Sequence, residues 1–370
     1  MAGSKFCVFC GGVPESKNKE HILPQWLLRL TGDPRRKVSM YYDYRKGREV
    51  EFSWSGLVTP ACESCNSEFA GMESEVKPVI ERLLGKESLK AEDYVVLLDW
   101  LDKVRIGLWL NYYMLQGNVL NIEPSFYIKD RLGKKDRFVA IYPLDNDEVG
   151  LNAIGVNTIA FQDSPSVFGL KINNLLMINC SGDYIFSGRC GFPAPSSMEI
   201  HLDGENAGCH LMEGLRASKK IKNPLFKTPL PKPSVYILQP IGQRGLDGEM
   251  VGMNELGMHG PKLADFFAQN LMDVNVPEVG KLFRQFAGHV SRIDDVGELV
   301  EFDGISGGEG VSVGRLFSKV YELQISLQDR YVPVALDRDV RSAWDIRKKV
   351  MRRECKAYSK SYFVSSRRKV

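Results

Sequence analysis

Residues 7–10 read CVFC and residues 62–65 read CESC, and these two stretches decide the predicted fold of the first quarter of the chain. Each CxxC pair supplies two thiolates from one tight turn, and the two glycines after the first pair allow the backbone to curl around a metal ion. Two such pairs in one chain are most simply explained by a single tetrahedral Zn²⁺. We therefore predict a structural zinc site with four ligands, Cys7, Cys10, Cys62 and Cys65.

The chain contains eight cysteines, and their chemistry depends on the compartment. The N-terminal stretch MAGSKFCVFCGG lacks the apolar run of a secretory signal, so we expect a reducing, cytoplasmic location and no disulfide framework. The four cysteines without ligand spacing are predicted to be buried packing residues: Cys180, Cys190, Cys209 and Cys355.

Between the two pairs lies the stretch KEHILPQWL at 19–27, and Asn66 directly follows the last cysteine. The first motif is an acidic residue and a histidine followed by I-x-P, and it lies between two CxxC pairs with an amide beside the last thiolate. This combination resembles the HNH nuclease family, specifically its four-cysteine members. The resemblance covers residues 1–88. It implies a ββα-metal fold in which Glu20 and His21 lie on the first strand and Asn66 opens the helix.

The same resemblance implies the hydrolysis of a phosphodiester bond. A neutral histidine, with an unperturbed pKa of about 6.5, takes a proton from water at cellular pH, and this role falls to His21. A catalytic Mg²⁺ or Mn²⁺ would be bound by Glu20 and by the side-chain carbonyl oxygen of Asn66, because hard cations prefer oxygen ligands. The zinc would then be structural and the magnesium catalytic.

One feature of the family is missing from the chain. The asparagine that normally precedes the second CxxC has no counterpart in EFSWSGLVTPA at 51–61, where Ser53 or Ser55 could take its place or the position could be unfilled. Two acidic residues of the following helix, Glu73 and Glu75, are interpreted first as solvated helix charges.

Cations and aromatic residues alternate between the two motifs. The stretch RRK contains Arg35, Arg36 and Lys37, and the stretch YYDYRKGR contains Arg45, Lys46 and Arg48 among three tyrosines. These residues could contact phosphates and stack on bases near the scissile bond. An exposed, strongly twisted hairpin explains the same pattern equally well.

The rest of the chain predicts a mixed α+β fold. Residues 89–222 begin with a helix at 94–116, whose four charged residues are predicted to face away from its apolar stripe, and continue with strands in RFVAIYPL, NTIAF, FGLKINNLLMIN and DYIFSG. The four charges make a membrane span too costly. A proline-rich connector at 221–234 leads to a region at 234–337, for which we predict a strand in VYILQP, helices in GPKLADFFAQNLM and PEVGKLFRQFAGHV, and a strand in KVYELQISL.

Residues 338–370 differ in charge from everything before them. They contain twelve basic and three acidic residues, a net of +9, and subtracting this from the total of +3 leaves −6 for the first 337 residues. Such a tail attracts phosphate backbones, and we expect weak nucleic-acid contacts from Arg347, Lys348, Lys349, Arg352 and Arg353. A solvated helix is the alternative interpretation.

Together these patterns predict a metal-dependent endonuclease whose single site nicks nucleic acid, most simply DNA. By analogy, proteins that begin in this way resemble bacterial phage-defence nucleases, which could have protein partners. Two alternatives stay open: a nuclease that cuts RNA, and a catalytically decayed zinc module that docks nucleic acid or a protein. The patterns do not predict an oligomeric state.

Overall fold

The computed structural model describes residues 6–15, 18–43, 47–116, 124, 127–132, 137–144, 148–163, 167–181, 197–203, 206–212, 230–239, 282–286, 289–302, 312–328 and 338–367. Several sequence predictions lie outside these ranges. They concern Tyr44, Arg45, Lys46, Cys190, the strand DYIFSG, most of the proline-rich connector and the helix in GPKLADFFAQNLM.

The N-terminal region contains two small antiparallel strand pairs and a long helix. Its elements are β1 (Lys19–His21), α1 (Gln25–Leu30), β2 (Lys37–Asp43), β3 (Arg48–Ser53), β4 (Val58–Pro60) and α2 (Glu63–Leu84). Strand β1 pairs with β4, and β2 pairs with β3. A 3-10 turn at Trp54–Gly56 connects the two pairs and buries the Trp54 indole. The helix predicted after the second CxxC is therefore present as α2.

A seven-stranded antiparallel sheet forms the centre of the protein. After β5 (Leu89–Lys90), the strands are β6 (Arg137–Pro143), β7 (Leu151–Ile154), β8 (Val167–Ile172), β9 (Leu175–Ser181), β10 (Ser197–Asp203), β11 (Asn206–Met212), β12 (Val235–Gln239), β13 (Phe283–Phe286), β14 (His289–Arg292) and β15 (Leu299–Val300). The order in the sheet is β14-β13-β12-β6-β9-β8-β7, while β10 pairs with β11 and β5 with β15. The mixed α+β class and the strands predicted in RFVAIYPL, FGLKINNLLMIN and VYILQP are confirmed.

Both faces of this sheet are covered by helices. The helices after α2 are α3 (Ala91–Gln116), α4 (Ile128–Arg131), α5 (Ile159–Asp163), α6 (Val313–Gln328) and α7 (Arg338–Arg367). Along β6, Val139 and Ile141 pack in the core shared with α3, whereas Phe138, Ala140 and Tyr142 pack in the core shared with α6 and α7. Because successive side chains alternate between faces, two covered faces explain why the central strands are apolar at almost every position.

Three predicted elements have the wrong type. The stretch NTIAF contributes to helix α5, KVYELQISL lies within helix α6, and the described part of PEVGKLFRQFAGHV forms strands β13 and β14. A short apolar run is compatible with both the strand repeat of two residues and the helix repeat of about 3.6 residues. Periodicity alone therefore does not separate a strand from a buried helix. In α6, Leu316, Val320, Leu323 and Leu327 share one buried face at helical spacing, whereas β13 pairs directly with β12.

The helix predicted at 94–116 is present as α3, but its charges do not face away from the core. Asp102, Lys103 and Arg105 are almost completely buried, because α3 lies between the N-terminal region and the sheet. The predicted apolar stripe is also buried, so this helix is enclosed on several sides. Among the helices in the described part of the chain, none combines the length and apolar character needed to cross a lipid bilayer.

A buried ionic network joins α3 to the sheet. The Arg137 guanidinium of β6 donates from Nη1 to Asp99 Oδ1 at 2.6 Å and to Asp102 Oδ2 at 2.9 Å, and from Nε to Gln239 at 2.5 Å. Arg105 donates to Asp102 at 2.7 Å and to Asn179 of β9 at 3.1 Å. Burial would lower the pKa of Arg137, but the two carboxylates outweigh burial and raise it, so the guanidinium stays charged.

The hydrophobic core continues across the predicted boundary at 88/89. One cluster of buried residues extends from Phe6 of the N-terminal region, through Val79 of α2 and Leu97 of α3, to Phe168 and Ile237 of the sheet. The division into 1–88, 89–222, 234–337 and 338–370 stays a prediction from sequence. What the structure shows is that α3 packs against both the N-terminal region and the sheet.

Replacing Arg137 with methionine is expected to lower the free energy of unfolding by about 3–5 kcal/mol, because the change leaves two aspartates in the interior without their shared cation. Urea denaturation followed by circular dichroism measures this change. Lys77→Met, at an exposed position of α2, is the matched control and should cost less than about 0.5 kcal/mol. Equal stability of the two variants would contradict the proposed importance of the network.

Candidate metal centre and its polar neighbourhood

The four cysteines of the two CxxC pairs meet at one point. Their sulfur atoms all lie within 4.8 Å of one another, and Cys10 Sγ and Cys62 Sγ are 3.9 Å apart. Cys7 and Cys10 lie in the turn before β1, Cys62 precedes the first residue of α2, and Cys65 lies in the first turn of that helix. The four thiols are therefore positioned to bind a metal ion.

The first pair is held in a tight backbone turn. The Cys7 amide donates to the Gly12 carbonyl at 2.7 Å, and the Gly11 amide donates to the Cys7 carbonyl at 2.8 Å. Gly11 has a φ of 76°, and a Cβ at this position would lie 2.2 Å from the Tyr127 ring. Both the backbone conformation and the contact with Tyr127 require glycine here.

The geometry and chemistry of this cluster fit zinc. A tetrahedral Zn²⁺ with bonds of about 2.3 Å separates its sulfur ligands by about 3.8 Å, close to the observed Cys10–Cys62 distance. Burial raises the pKa of Cys62 to about 11 and that of Cys65 to about 12. Burial also raises the pKa of Cys7, but backbone N–H groups, chiefly that of Cys62, donate hydrogen bonds to its sulfur. These bonds outweigh burial, so the pKa of Cys7 is lowered. Metal binding must displace the remaining protons. Four thiolates leave no open position, so such a zinc is structural.

The predicted catalytic residues lie on elements that begin or end beside this cluster. Glu20 and His21 are on β1, where they face Thr59 and Val58 of β4 in the antiparallel register. Asn66 is in the first turn of α2, and its backbone N–H donates to the Cys62 carbonyl at 2.9 Å. The four thiols thus lie where the turn before β1 meets the first turn of α2. The side chains of His21 and Asn66 are both half-buried.

A buried lysine joins three elements next to His21. Lys103 Nζ of α3 donates to Glu20 Oε1 and to Glu73 Oε1, each at 2.5 Å, and the lysine side chain is only 1% exposed. The same ammonium group lies 5.8 Å from the centroid of the Phe9 ring. The Phe9 ring is itself stacked on Phe69 of α2. Lys103 therefore holds β1, α2 and α3 together at one point.

The interpretation of Glu73 as a solvated charge is wrong. Its side chain is 23% exposed and is bonded to Lys103. Burial raises the pKa of Glu73 more than the charge of Lys103 lowers it, and His21 is near enough to lower it slightly. Glu73 follows Asn66 by seven residues, so both lie on one face of α2, and this spacing could have indicated Glu73. No local pattern indicates Lys103, which is 83 residues from Glu20.

The structure brings some of the predicted residues together and not others. Glu20 and His21 share a cluster with Glu73 and Lys103, but no hydrogen bond or ion pair within the described residues joins Asn66 to Glu20 or His21. Ser53 and Ser55 lie at the end of β3 and in the 3-10 turn, with their hydroxyls 3.4 Å apart.

The predicted nucleic-acid contacts also differ in their surroundings. Arg35, Lys37 and Arg48 are exposed, and Lys37 forms an ion pair with Glu51 at 3.2 Å. Arg36 is half-buried and donates to Thr31 Oγ1 at 2.9 Å, which gives it a local structural role. In α7, Lys349, Arg352 and Arg353 are exposed, whereas Arg347 and Lys348 are half-buried.

No protein-family model, no curated protein and no solved structure matches this chain. The resemblance to the HNH family therefore stays a prediction from the sequence motifs, and the structure adds to it the meeting of the four cysteines.

Replacing Cys65 with serine is expected to reduce bound zinc from about one ion per chain to well below one half, because an alcohol is a poor zinc ligand. Metal analysis of protein purified without chelators measures the loss, and the melting temperature should fall with it because zinc binding stabilises the fold. Cys355→Ser is the matched control, since Cys355 is buried between α6 and α7 and should leave the zinc content unchanged. A full zinc complement in Cys65→Ser would contradict the four-thiolate site.

Replacing Lys103 with methionine is expected to lower the free energy of unfolding by roughly 2–4 kcal/mol, because two partly buried carboxylates lose their common cation. The triple variant Glu20→Gln, Glu73→Gln, Lys103→Met removes the unpaired charges together and should recover part of the loss. Urea denaturation of the zinc-loaded proteins measures both changes. If the triple variant were no more stable than Lys103→Met, the loss would have to come from packing and not from charge.

Proposed function

We propose that the protein is a metal-dependent endonuclease that hydrolyses phosphodiester bonds through an HNH-like site at its N-terminus. The observation that carries this proposal is the arrangement of β1, β4 and α2 around the four thiols. In this arrangement the strand with His21 and the helix with Asn66 are connected to the same metal-binding cluster. A zinc ion there would hold the two elements at a constant separation.

In the proposed reaction, His21 accepts a proton from the attacking water. The imidazole is half-buried, so it is shielded in part but still reachable by solvent and substrate. A general base must lie within hydrogen-bond reach of the water it activates, and the pairing of His21 with Val58 in the strand register keeps its backbone in place for that contact. The zinc-binding cysteines would take no part in the proton transfer.

The proposal includes a second, catalytic cation. Glu20 and Asn66 would offer it a carboxylate and an amide oxygen, and the bond from Lys103 Nζ to Glu20 Oε1 would compete with it for that carboxylate. A bound Mg²⁺ or Mn²⁺ would supply positive charge to the phosphate and to the departing oxygen. The Lys103–Glu20–Glu73 cluster would keep the Glu20 carboxylate oriented next to His21.

A single site of this kind cuts one strand, so a monomer should nick a duplex. Chemistry at the phosphate does not distinguish DNA from RNA, and we propose DNA as the substrate because the resemblance is to DNA-cutting enzymes. A role in defence against phage is part of the same proposal and depends on the resemblance alone.

A second candidate function is a zinc-binding module without catalysis, which docks nucleic acid or a protein partner. The ion pair between Glu20 and Lys103 favours this alternative, because it gives Glu20 a structural role that requires no metal. The absence of the expected asparagine before the second CxxC favours it as well. The first candidate cuts nucleic acid with the help of the His21 imidazole, whereas the second candidate does not cut.

Zinc-loaded protein incubated with supercoiled plasmid and Mg²⁺ or Mn²⁺ is expected to produce nicked circles. His21→Ala should reduce the nicking rate by at least about 100-fold, because it removes the proposed base. Gel electrophoresis over a time course measures the rate, and an RNA substrate run in parallel tests the alternative nucleic acid.

His289→Ala is the matched control for this experiment. It removes the same side chain from β14, the edge strand of the sheet, and should leave the rate unchanged. Equal residual cutting by wild type and His21→Ala, with both proteins folded and zinc-loaded, would overturn the catalytic proposal and leave the docking module as the better explanation.

A further inference from the structure

Helix α7 is held firmly to the body of the protein by one of its faces. Met351 and Cys355 are buried in the core shared with the sheet, and the rings of Tyr358 and Tyr321 of α6 stack with their centroids 5.2 Å apart. The Ser318 and Ser359 hydroxyls are within 2.8 Å of each other. The basic C-terminal region is therefore, over 338–367, a docked helix with a defined outer face.

The outer face of α7 carries a row of cations. Lys349, Arg353, Lys356 and Lys360 are all exposed and follow one another at intervals of four, three and four residues. At about 100° per residue these positions fall within roughly 60° of arc, and at about 1.5 Å per residue they extend over roughly 17 Å. We call these four residues the basic stripe.

The acidic residue within this part of α7 is turned away from the stripe. From Arg347 to Arg367 the sequence contains eight basic residues and one acidic residue, Glu354, and the exposed Asp345 precedes Lys349 by about one helical turn. The Glu354 carboxylate accepts a hydrogen bond from the Ile159 amide of α5 at 2.7 Å, so it faces the body of the protein. The four cations of the stripe therefore outnumber the one exposed carboxylate beside them, and the stripe keeps a net positive charge.

We infer that the basic stripe is a docking surface for the phosphate backbone of a nucleic acid, separate from the zinc-framed site. Duplex DNA carries one charge per roughly 1.7 Å of axis when both strands are counted, so a length of about 17 Å contains about ten phosphates, several of which lie on the side nearest the stripe. The four side chains are long and exposed, and each can contact a phosphate without moving the helix. A docked helix also presents its charges together, so little ordering of the backbone is needed for binding.

An anionic membrane is the competing polyanion, and the structure favours it less. A helix that inserts into a membrane interface leads with an apolar face, and the main apolar face of α7 is already buried against α6 and the sheet. Exposed apolar side chains lie near both ends of the stripe, Ile346 and Val350 at one end and Phe363 and Val364 at the other, which makes anionic vesicles the contrasting probe.

The stripe lies on the side of the sheet opposite to α3, whereas the zinc-framed site packs on the α3 side. The inference concerns binding alone and does not depend on whether His21 cuts the substrate.

The test compares two variants of equal charge, both in a His21→Ala background so that the probe is not cut. The first changes the stripe residues Lys349, Arg353, Lys356 and Lys360 to glutamine. The control changes four exposed lysines elsewhere, Lys77, Lys86, Lys90 and Lys232, in the same way. Fluorescence anisotropy with a labelled 20-bp duplex DNA, an RNA duplex of the same sequence, and phosphatidylserine-containing vesicles measures binding over a series of salt concentrations.

We expect the stripe variant to bind the DNA probe at least tenfold more weakly at low salt than the control, with an unchanged circular dichroism spectrum. The plot of log association constant against log salt concentration has a negative slope, and each lost phosphate contact makes that slope shallower by about 0.9. The stripe variant should therefore show a slope that is shallower by up to about 3.6. The RNA arm shows whether both backbones bind. Equal loss in the two variants, no loss in either, or loss of vesicle binding with retention of nucleic-acid binding would each overturn the inference.

Discussion

The burial of charged side chains on helix α3 is the constraint on which the rest of the structure depends. Removing an ammonium, guanidinium or carboxylate group from water costs several kcal/mol unless a partner of opposite charge is held in good geometry. Lys103 finds its partners in β1 and α2, whereas Asp102 and Arg105 find theirs in the sheet. The helix can therefore be buried only when both the N-terminal region and the sheet are in place around it.

This constraint also organises the candidate site. The four thiols connect the turn before β1 to the first turn of α2, and Lys103 connects the same two elements about two helical turns further along α2. His21 directly follows Glu20, which Lys103 holds, and a metal ion bound by the thiols would together with the lysine limit the movement of β1 relative to α2. Side chains held in this way have a defined orientation, which the proposed phosphodiester hydrolysis would require. Whether the site uses that orientation for cutting or only for docking depends on the His21 imidazole.

The small net charge of the chain conceals a separation of charged residues between the interior and the surface. The interior contains a neutralised set of charges around α3, while the outer face of α7 carries a row of exposed cations. The seven-stranded sheet makes this separation possible, because it is covered on one face by α3 and on the other by α6 and α7.

The sequence by itself determined the features that depend on local chemistry and spacing. The four cysteines predicted the metal cluster, the run of β-branched and aromatic residues predicted β6, β8 and β9, and the amphipathic pattern predicted α3. Only the tertiary structure decided what depends on distant partners. It turned 159–163 and 319–327 into helices and the described part of 277–290 into paired strands, buried the charges of α3, and brought Glu73 and Lys103 to His21. The physical reason is that an apolar run or a charged side chain has no preferred environment of its own, since its stability depends on which strand, helix or counter-charge the folded chain places beside it.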